Sequence, residues 1–524
     1  MILRLTPFCF LLFIASFLSA QTPVLVTDFN PGEEGGINEF NFEGIFLGDQ
    51  LLLPALNSTV GEELAVLEDG NLEILKDINE GAASSSPNQF VAFNGKVYFS
   101  AYDEVNGGAL WATDGTAVGT TMQFDPGMDI NSNLSPQGLT ISKSGHLYFT
   151  HNSTLYRTDG NSLETIFVGV NFITEFQQQA NNYCAYGDEV AFLIQVDYDL
   201  VELYVVEGNE AVLKGTTGET SGFPDVYGLN PVKQGLLFAI NDPFDGNVSG
   251  NYLYDDVAGT LEKITSTNNL ARRLNDFNDE RAIAWVGGKG YFTLNGINSE
   301  DELLFNTDNS SFTQGDALDY IVYQDKLLLY VSDGFFGDEF LLYSDGTANG
   351  TSELAEMDPF ESNMILSGNL AFFTTGISNG FDPVLHTVDM NTGTYLTPYF
   401  FNQPSLQVNS IILLGFHSPS QRLYFASNLD AQVGREVYYL DFNISSTEEL
   451  EKESYTVSMT DDSFEVVSDR FAQMKVEVFS IHGQLLEASS EMTNTQVDLS
   501  HLRGLLVLSI EIDGQHFARR FFRP

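Results

Sequence analysis

The chain has 524 residues, 43% of them apolar, enough to bury one large core or several smaller ones. Its 72 acidic residues against 22 basic give a formal net charge of -50, a surface that repels phosphate backbones and anionic headgroups and so excludes nucleic acid as a partner. The 42 Phe and 22 Tyr suit strands, and two cysteines are too few for a disulfide-stapled scaffold.

The first element is a targeting segment. Arg4 supplies a basic start, Pro7 to Leu18 an apolar stretch, and Ser19-Ala20 the small residues before Gln21. Residues 1–20 read as a signal peptide, too short to serve as a bilayer anchor, with Cys9 lying inside it. No later stretch reaches 18 apolar residues, so the expected mature chain starts at Gln21 and has no integral membrane segment. Its one remaining thiol, Cys184 in Asn182-Tyr183-Cys184-Ala185-Tyr186, has no partner for a disulfide and reads as a buried structural cysteine.

From there to residue 444 one pattern recurs: a polar or Gly turn, then an apolar strand ending in Phe or Tyr. It occurs at Gly48 to Leu53, Gly95 to Ser100, Gly145 to Thr150, Gly187 to Phe192 and Gly235 to Ala239. It continues at Gly288 to Thr293, Asp325 to Tyr330, Gly368 to Phe373 and Gln421 to Ala426. The copies lie about 37 to 53 residues apart, the span of a propeller blade. A further strand follows each copy, often opened by Glu and closed by Asp-Gly, as at Ala109 to Thr116, Leu155 to Gly160 and Phe340 to Thr347. Eroded forms run from Glu63 to Gly70, Glu202 to Gly208, Glu302 to Asp308 and Glu436 to Asp441. Asp-Gly between apolar runs marks a hairpin, because both residues accept positive φ. A last strand, such as Leu72 to Ile78, Thr121 to Phe124 or Ser352 to Met357, completes an antiparallel unit of four.

The chain ends fit a closed ring. Val24 to Gly32 matches the last-strand segment Ile74 to Gly81, while the final unit, Val408 to Phe442, has three strands. An N-terminal strand completing that unit would protect the open edges. The expected fold is therefore all-β: a β-propeller of about eight to nine four-stranded blades over residues 21–444.

Residues 445–453 turn polar and charged and read as a linker. From Thr447 on there are 14 acidic and 7 basic residues, far less skewed than the body. Short strands at Ser463 to Val467, Lys475 to Ser480, Gln496 to Leu499, Leu505 to Ile512 and Phe517 to Phe522 predict a small β-sandwich over residues 454–524. Within it, Val476 to Leu485 (Val-Glu-Val-Phe-Ser-Ile-His-Gly-Gln-Leu) is similar to a strand pair of the C-terminal sorting domains of the Bacteroidetes type IX secretion system. Val497 to Gly504 and the basic ending Ala518 to Pro524 resemble two further stretches of that family. An opening Asn-Pro motif is missing from Val457 to Asp469, and Leu505-Leu506 replace a Tyr. The resemblance implies the type IX machinery as partner, with export through the periplasm and outer membrane to the surface or medium. The body's (Glu/Ala)-Leu-(Trp/Tyr)-x-(Ser/Thr)-Asp-Gly-Thr units, best kept at Trp111 to Thr120 and Tyr343 to Thr351, resemble a repeat of exported Bacteroidetes β-propeller proteins.

No motif points to catalysis. The seven histidines are His146, His151, His386, His417, His482, His501 and His516, the last three in the C-terminal segment, and none of the other four has metalloprotease spacing. Gly-x-Ser-x-Gly and phosphate-cradling glycine loops are missing. The Asp-Gly-Thr motifs resemble the Asp-boxes of sialidases but lack their residue order, and they read as turns. No catalytic or cofactor-binding residue is assigned. Calcium is the one small ligand with candidate donors, at Asp125, Asp129, Asn131 and Asn133 and at Asn241, Asp242, Asp245 and Asn247. The expected function is a non-enzymatic binding module, secreted or at the cell surface, for protein, glycan or surface polymer. The alternatives are a polysaccharide-acting hydrolase or lyase with its site at the channel mouth, and a structural component.

Overall fold

The computed structural model describes residues 23–31, 35–38, 41, 43–124, 135–151, 154–168, 183–196, 200–218, 225–242, 247–264, 271–278, 281–286, 290–294, 302–306, 319–332, 339–357, 364–375, 384–395, 399–400, 411–429 and 433–441, and the strand backbone within 455–523. The chain divides into two compact units, Met1–Phe442 and Asn443–Pro524.

Among the described residues the first unit holds nine antiparallel sheets. Sheet 1 comprises Ile45–Leu47, Gln50–Asn57, Gly61–Glu68 and Asn71–Lys76, paired in chain order. Sheet 2 repeats it with Asn88–Phe93, Lys96–Asp103, Gly107–Thr113 and Thr121–Phe124. Sheets 3 to 8 begin at Gln137–Ile141, Tyr183–Tyr186, Asp225–Val232, Ala271–Asn278, Asp319–Tyr323 and Ile365–Ser367. Sheet 9 takes three strands from the C-terminal end of the unit, Ile411–His417, Arg422–Ser427 and Glu436–Asp441, and its fourth, Val24–Leu25, from the N-terminal end.

The recurrent aromatic strand is the second of its sheet in eight of the nine units, buried on both faces. Side chains alternate along a strand, so an adjacent Tyr-Phe pair serves two cores at once. Phe99 packs between sheets 1 and 2 while Tyr98 packs between sheets 2 and 3. Phe149 and Tyr148 divide likewise between sheets 2 and 3 and sheets 3 and 4. Each such buried ring contributes about 2–3 kcal/mol. A shared core joins every consecutive pair of sheets, and the series returns on itself: Phe372 meets Leu413 and Phe425 between sheets 8 and 9, and Ile412 and Ala426 meet Leu51 and Leu53 between sheets 9 and 1. Nine sheets joined by nine cores form a closed cycle, the arrangement of a β-propeller.

One unit corrects the sequence reading. Gly290–Leu294, which carries the recurrent pattern, is the third strand of sheet 6; its second is Arg281–Val286, and Glu302–Asn306 is its fourth. The start-to-start spacing of second strands from Gly235 through Arg281 to Lys326 is then 46 and 45 residues, in place of the uneven intervals of the sequence pattern. Cys184 is half-buried rather than buried, packed against the core between sheets 4 and 5.

A duplicated hydrogen-bond latch ties each of two outer segments to the sheets beside it. Glu63, fully buried, accepts from the N–H groups of Ile78 (2.8 Å) and Ser85 (3.0 Å) and from Ser85 Oγ (2.6 Å). Asn79 donates Nδ2 to Ser84 O at 3.1 Å and accepts Glu104 N–H at 3.1 Å from a hairpin of sheet 2. At the ring seam Glu436, also fully buried, accepts Asn30 N–H at 3.2 Å. Asn30 donates Nδ2 to Gly35 O at 2.9 Å and accepts Ser58 N–H at 3.0 Å from a hairpin of sheet 1. The backbone repeats as well: Ser85 and Ser86 donate to Glu62 O as Gly36 and Ile37 donate to Arg435 O. The match seen between Val24–Gly32 and Ile74–Gly81 is thus a match of hydrogen bonds.

The second unit contains the strands Tyr455–Met459, Ser463–Ser468 and Asn494–Asp498 in one sheet, and Gln473–Ser480, Leu485–Met492, Gly504–Ile512 and Gln515–Arg523 in another.

Burial pushes the carboxyls of Glu63 and Glu436 up from 4.5 to about 7, against their hydrogen bonds and with Asp77 and Asp28 adding to the rise. The folded protein then keeps protons that the unfolded chain has released. This contribution to stability is complete below pH 4.5 and is lost as pH rises through about 7. Glu63→Gln and Glu436→Gln should therefore each gain stability over the parent at pH 8, by on the order of 3 kcal/mol at most, and little at pH 4.5. Parallel pH profiles of melting temperature for parent and variants would refute this.

Candidate functional site

The residues that most resemble motifs are held in structural hydrogen bonds. In sheet 2, Asp114 Oδ1 accepts the N–H (3.0 Å) and the Oγ1–H (2.7 Å) of Thr116, Gly115 N–H donates to Thr113 Oγ1, and Gly119 N–H donates to Thr116 Oγ1. Sheet 7 repeats the set with Asp345, Thr347, Gly346, Ser344 and Gly350. These bonds hold both aspartates below their usual carboxylate range. Neighbouring sheets also grip the turns: Gln50 Nε2 donates to Gly115 O, Asn94 Nδ2 to Asp159 O and Thr293 Oγ1 to Gly346 O. The Asp-Gly-Thr motifs close hairpins and stitch sheets together.

A second network joins sheets 3 and 4. Arg157, nearly fully buried, donates Nη1 to Glu189 Oε1 (3.3 Å) and Gly208 O (2.7 Å), and Nη2 to Glu164 and to Asn209 Oδ1 (2.9 Å). Tyr148 OH and Ser144 Oγ both donate to Glu189 Oε2 at 2.8 Å, and His146 Nδ1 lies 3.3 Å from the same oxygen. Burial alone would raise the Glu189 carboxyl, but Ser144, Tyr148, His146 and Arg157 together hold it below its usual range. Ser144 and Glu189 both meet the same imidazole nitrogen, so the histidine is not placed to pass a proton between them.

The other histidines divide by environment. His386 is buried and stacked on Phe373, with Nε2 2.8 Å from Thr375 Oγ1 and Nδ1 on Tyr395 OH; burial pushes its pKa down to about 4, so it is neutral. His151 is buried beside Phe124. His417 bridges sheets 9 and 1, with Nδ1 2.7 Å from Ser420 Oγ, Nε2 3.2 Å from Asp49 Oδ1 and its ring stacked on Phe46. His482 and His501 lie outside the described residues, and for His516 the backbone alone is described. Of the calcium candidates, Asp125, Asp129, Asn131, Asn133 and Asp245 also lie outside them. Among the described residues no group of three or more His, Cys, Asp or Glu side chains is placed to hold a metal.

What remains open is the axis of the ring. The first strands of sheets 1, 2, 3, 4, 8 and 9 line a single cavity of about 590 Å³, which places these strands innermost. Among the described residues its wall is mainly apolar, with Ile45, Phe90, Leu139, Ile365 and Leu413, and Glu43 is the one carboxylate. An adjoining space of about 600 Å³ shares Gly44, Ile45, Ile365 and Leu414 and opens beside Phe46 and His417. Gln89 on this wall has a φ of 56°, where the corresponding bulges of sheets 3 and 5 use Gly138 and Gly228. That conformation is costly for a side chain. Its amide compensates by accepting Gly138 N–H at 2.6 Å, so Gln89 pins the inner strand of sheet 2 to that of sheet 3. A φ preference of this kind leaves no sequence pattern.

No protein-family model and no curated protein matches the chain. Solved β-propeller structures are similar to it in fold. PorZ of Porphyromonas gingivalis, described as an essential bacterial surface component of the type-IX secretion system, is 11% identical over 94% of this chain and 84% of its own, with a TM-score of 0.22. BamB from Moraxella catarrhalis is 11% identical over 68% of this chain and 97% of its own, at 0.35. Sqt1 of Saccharomyces cerevisiae is 10% identical over 68% and 96%, at 0.37. Among the described residues no helix is long and apolar enough to cross a membrane.

The Arg157 network yields a direct test. Arg157→Met leaves Glu189 buried without its cation and should cost about 3–5 kcal/mol in urea unfolding, whereas Arg157→Met with Glu189→Met should recover most of that loss. Equal losses in the single and double variants would show that the pair is not coupled.

Proposed function

We propose that this chain is an exported, non-enzymatic interaction protein whose nine-bladed propeller binds a protein or glycan ligand at its axial channel. The observation that carries the reading is the channel wall, which among the described residues is apolar and aromatic with one lining carboxylate, Glu43. Ligand sites are concave, mostly apolar and equipped with a few polar groups, and loops at the mouth of a rigid ring supply specificity. Glycoside hydrolysis calls for two facing carboxyl groups. The buried carboxyls met elsewhere in the unit, Glu63, Glu436 and Glu189, are held by backbone and side-chain donors within the scaffold.

The proposal extends to how the protein leaves the cell. Residues 1–20 act as a signal peptide, residues 445–453 as a linker, and residues 454–524 as a small β-sandwich that delivers the propeller to the type IX machinery. What supports this is the resemblance of Val476–Leu485, Val497–Gly504 and Ala518–Pro524 to the sorting domains of that system.

In a host with type IX secretion, deletion of residues 454–524 should trap the propeller in the periplasm, and residues 445–524 fused to a periplasmic reporter should carry it to the surface or medium. A fusion that stays in the periplasm contradicts the export reading. The purified propeller should release no reducing sugar from a polysaccharide panel while binding components of a glycan array or of the host surface. Sugar release that disappears on Glu43→Gln would contradict the binding reading.

A further inference from the structure

We infer that the seam holding residues 23–31 and 35–38 against sheet 9 is a strand-recognition site, and that the same N-terminal segment of a second copy of this chain can occupy it. Sheet 1 supplies the contrast. Its fourth strand, Asn71–Lys76, is joined to the third by the Asp69-Gly70 hairpin and pairs along most of its length. The fourth strand of sheet 9 reaches its partner from the opposite end of the unit and pairs through two residues, Val24 with Tyr439 and Leu25 with Tyr438, with one further bond from Val26 N–H to Val437 O at 2.9 Å. So short a ladder contributes little, and recognition falls to what lies beyond it.

Beyond it the site is built in detail. Leu25 packs on the core between sheets 8 and 9, and Val26 and Phe29 on the core between sheets 9 and 1. Asn30 is buried and uses N–H, Nδ2 and Oδ1 on Glu436, Gly35 and Ser58. Gly35 has a φ of 69°, and a Cβ there would stand 2.2 Å from the backbone nitrogen of Arg435. At Gly36 a Cβ would stand 2.6 Å from the Glu436 carboxylate. The seam therefore reads an apolar pair, an aromatic, an Asn and two glycines, in that order. The chain holds a near-copy that fails two of these criteria: Ile78 stands where Phe29 does, and Ser84 and Ser85 stand where Gly35 and Gly36 would be required. A site that binds its strand through side chains and close backbone approach, without a covalent hairpin, offers an identical strand from another molecule the same contacts, the tether giving the native strand only its effective concentration, and this is the basis of strand exchange between copies.

The test keeps the full chain. A protease site is placed at residues 39–40, the protein is cut after folding, and a fluorescent peptide of residues 21–38 is added in excess. One labelled peptide should enter per chain as the native segment leaves. Unlabelled peptide should compete, peptides carrying Asn30→Ala or Gly35→Ala should compete at least tenfold less well, and a peptide of residues 71–86 should not compete. The inference is overturned if no label enters at saturating peptide, or if the altered and 71–86 peptides compete as well as the native sequence.

Discussion

The structure depends on two buried carboxylates that hold the ends of outer strands. Glu63 fastens the segment leaving sheet 1 to the sheets on either side, and Glu436 fastens the N-terminal segment to the last sheet in the same way. A buried carboxylate is costly unless donors surround it. Here backbone N–H groups at the strand ends, and Ser85 Oγ beside Glu63, offset part of that cost, and the rise of both carboxyls to about 7 is the part that remains. At the seam this interaction does what a hairpin does elsewhere in the ring. Without it a two-residue ladder would have to hold a closed cycle of nine cores together.

Seen from that seam, the chemistry of the repeat makes sense as scaffold. Asp-Gly-Thr turns, the Arg157–Glu189 pair and buried His386 each satisfy polar groups that a ring of two-faced sheets must bury. Side chains engaged in this way are not available to a substrate. What the scaffold leaves over is its axis, where Phe46, Phe90 and Tyr183 stand among aliphatic side chains and Gln89 is held in an unfavourable backbone conformation. On the reading proposed above, a wall of that composition serves recognition.

Much of this was legible in the sequence. The Phe and Tyr positions of the repeat located the second strands because alternation with a double-faced core leaves a near-continuous apolar run. The likeness of Val24–Gly32 to Ile74–Gly81 foretold the closing strand. Sheet 6 was misread because its third strand, Gly290–Leu294, carries the Gly-then-aromatic signature, whereas Arg281–Val286 has no glycine turn before it. The candidate site was not legible. Its lining comes one to three residues at a time from the first strands of six sheets and their approaches, and neither the φ of Gln89 nor the pairing of Arg157 with Glu189 follows from local spacing. Glu436 could have been found, since Glu63 and Glu436 stand near the starts of matching third strands, but only the matched connectors give that coincidence a meaning.

The central claim, a ring closed by its own N-terminal strand, is most directly tested by cross-linking across the seam. With Cys184→Ser as background, Val24→Cys and Tyr439→Cys put thiols at directly paired positions. On mild oxidation of dilute protein, peptide mapping should find one intramolecular bridge joining the two introduced residues. Failure of that bridge to form under conditions that oxidise a control dithiol would mean that the ring is not closed there.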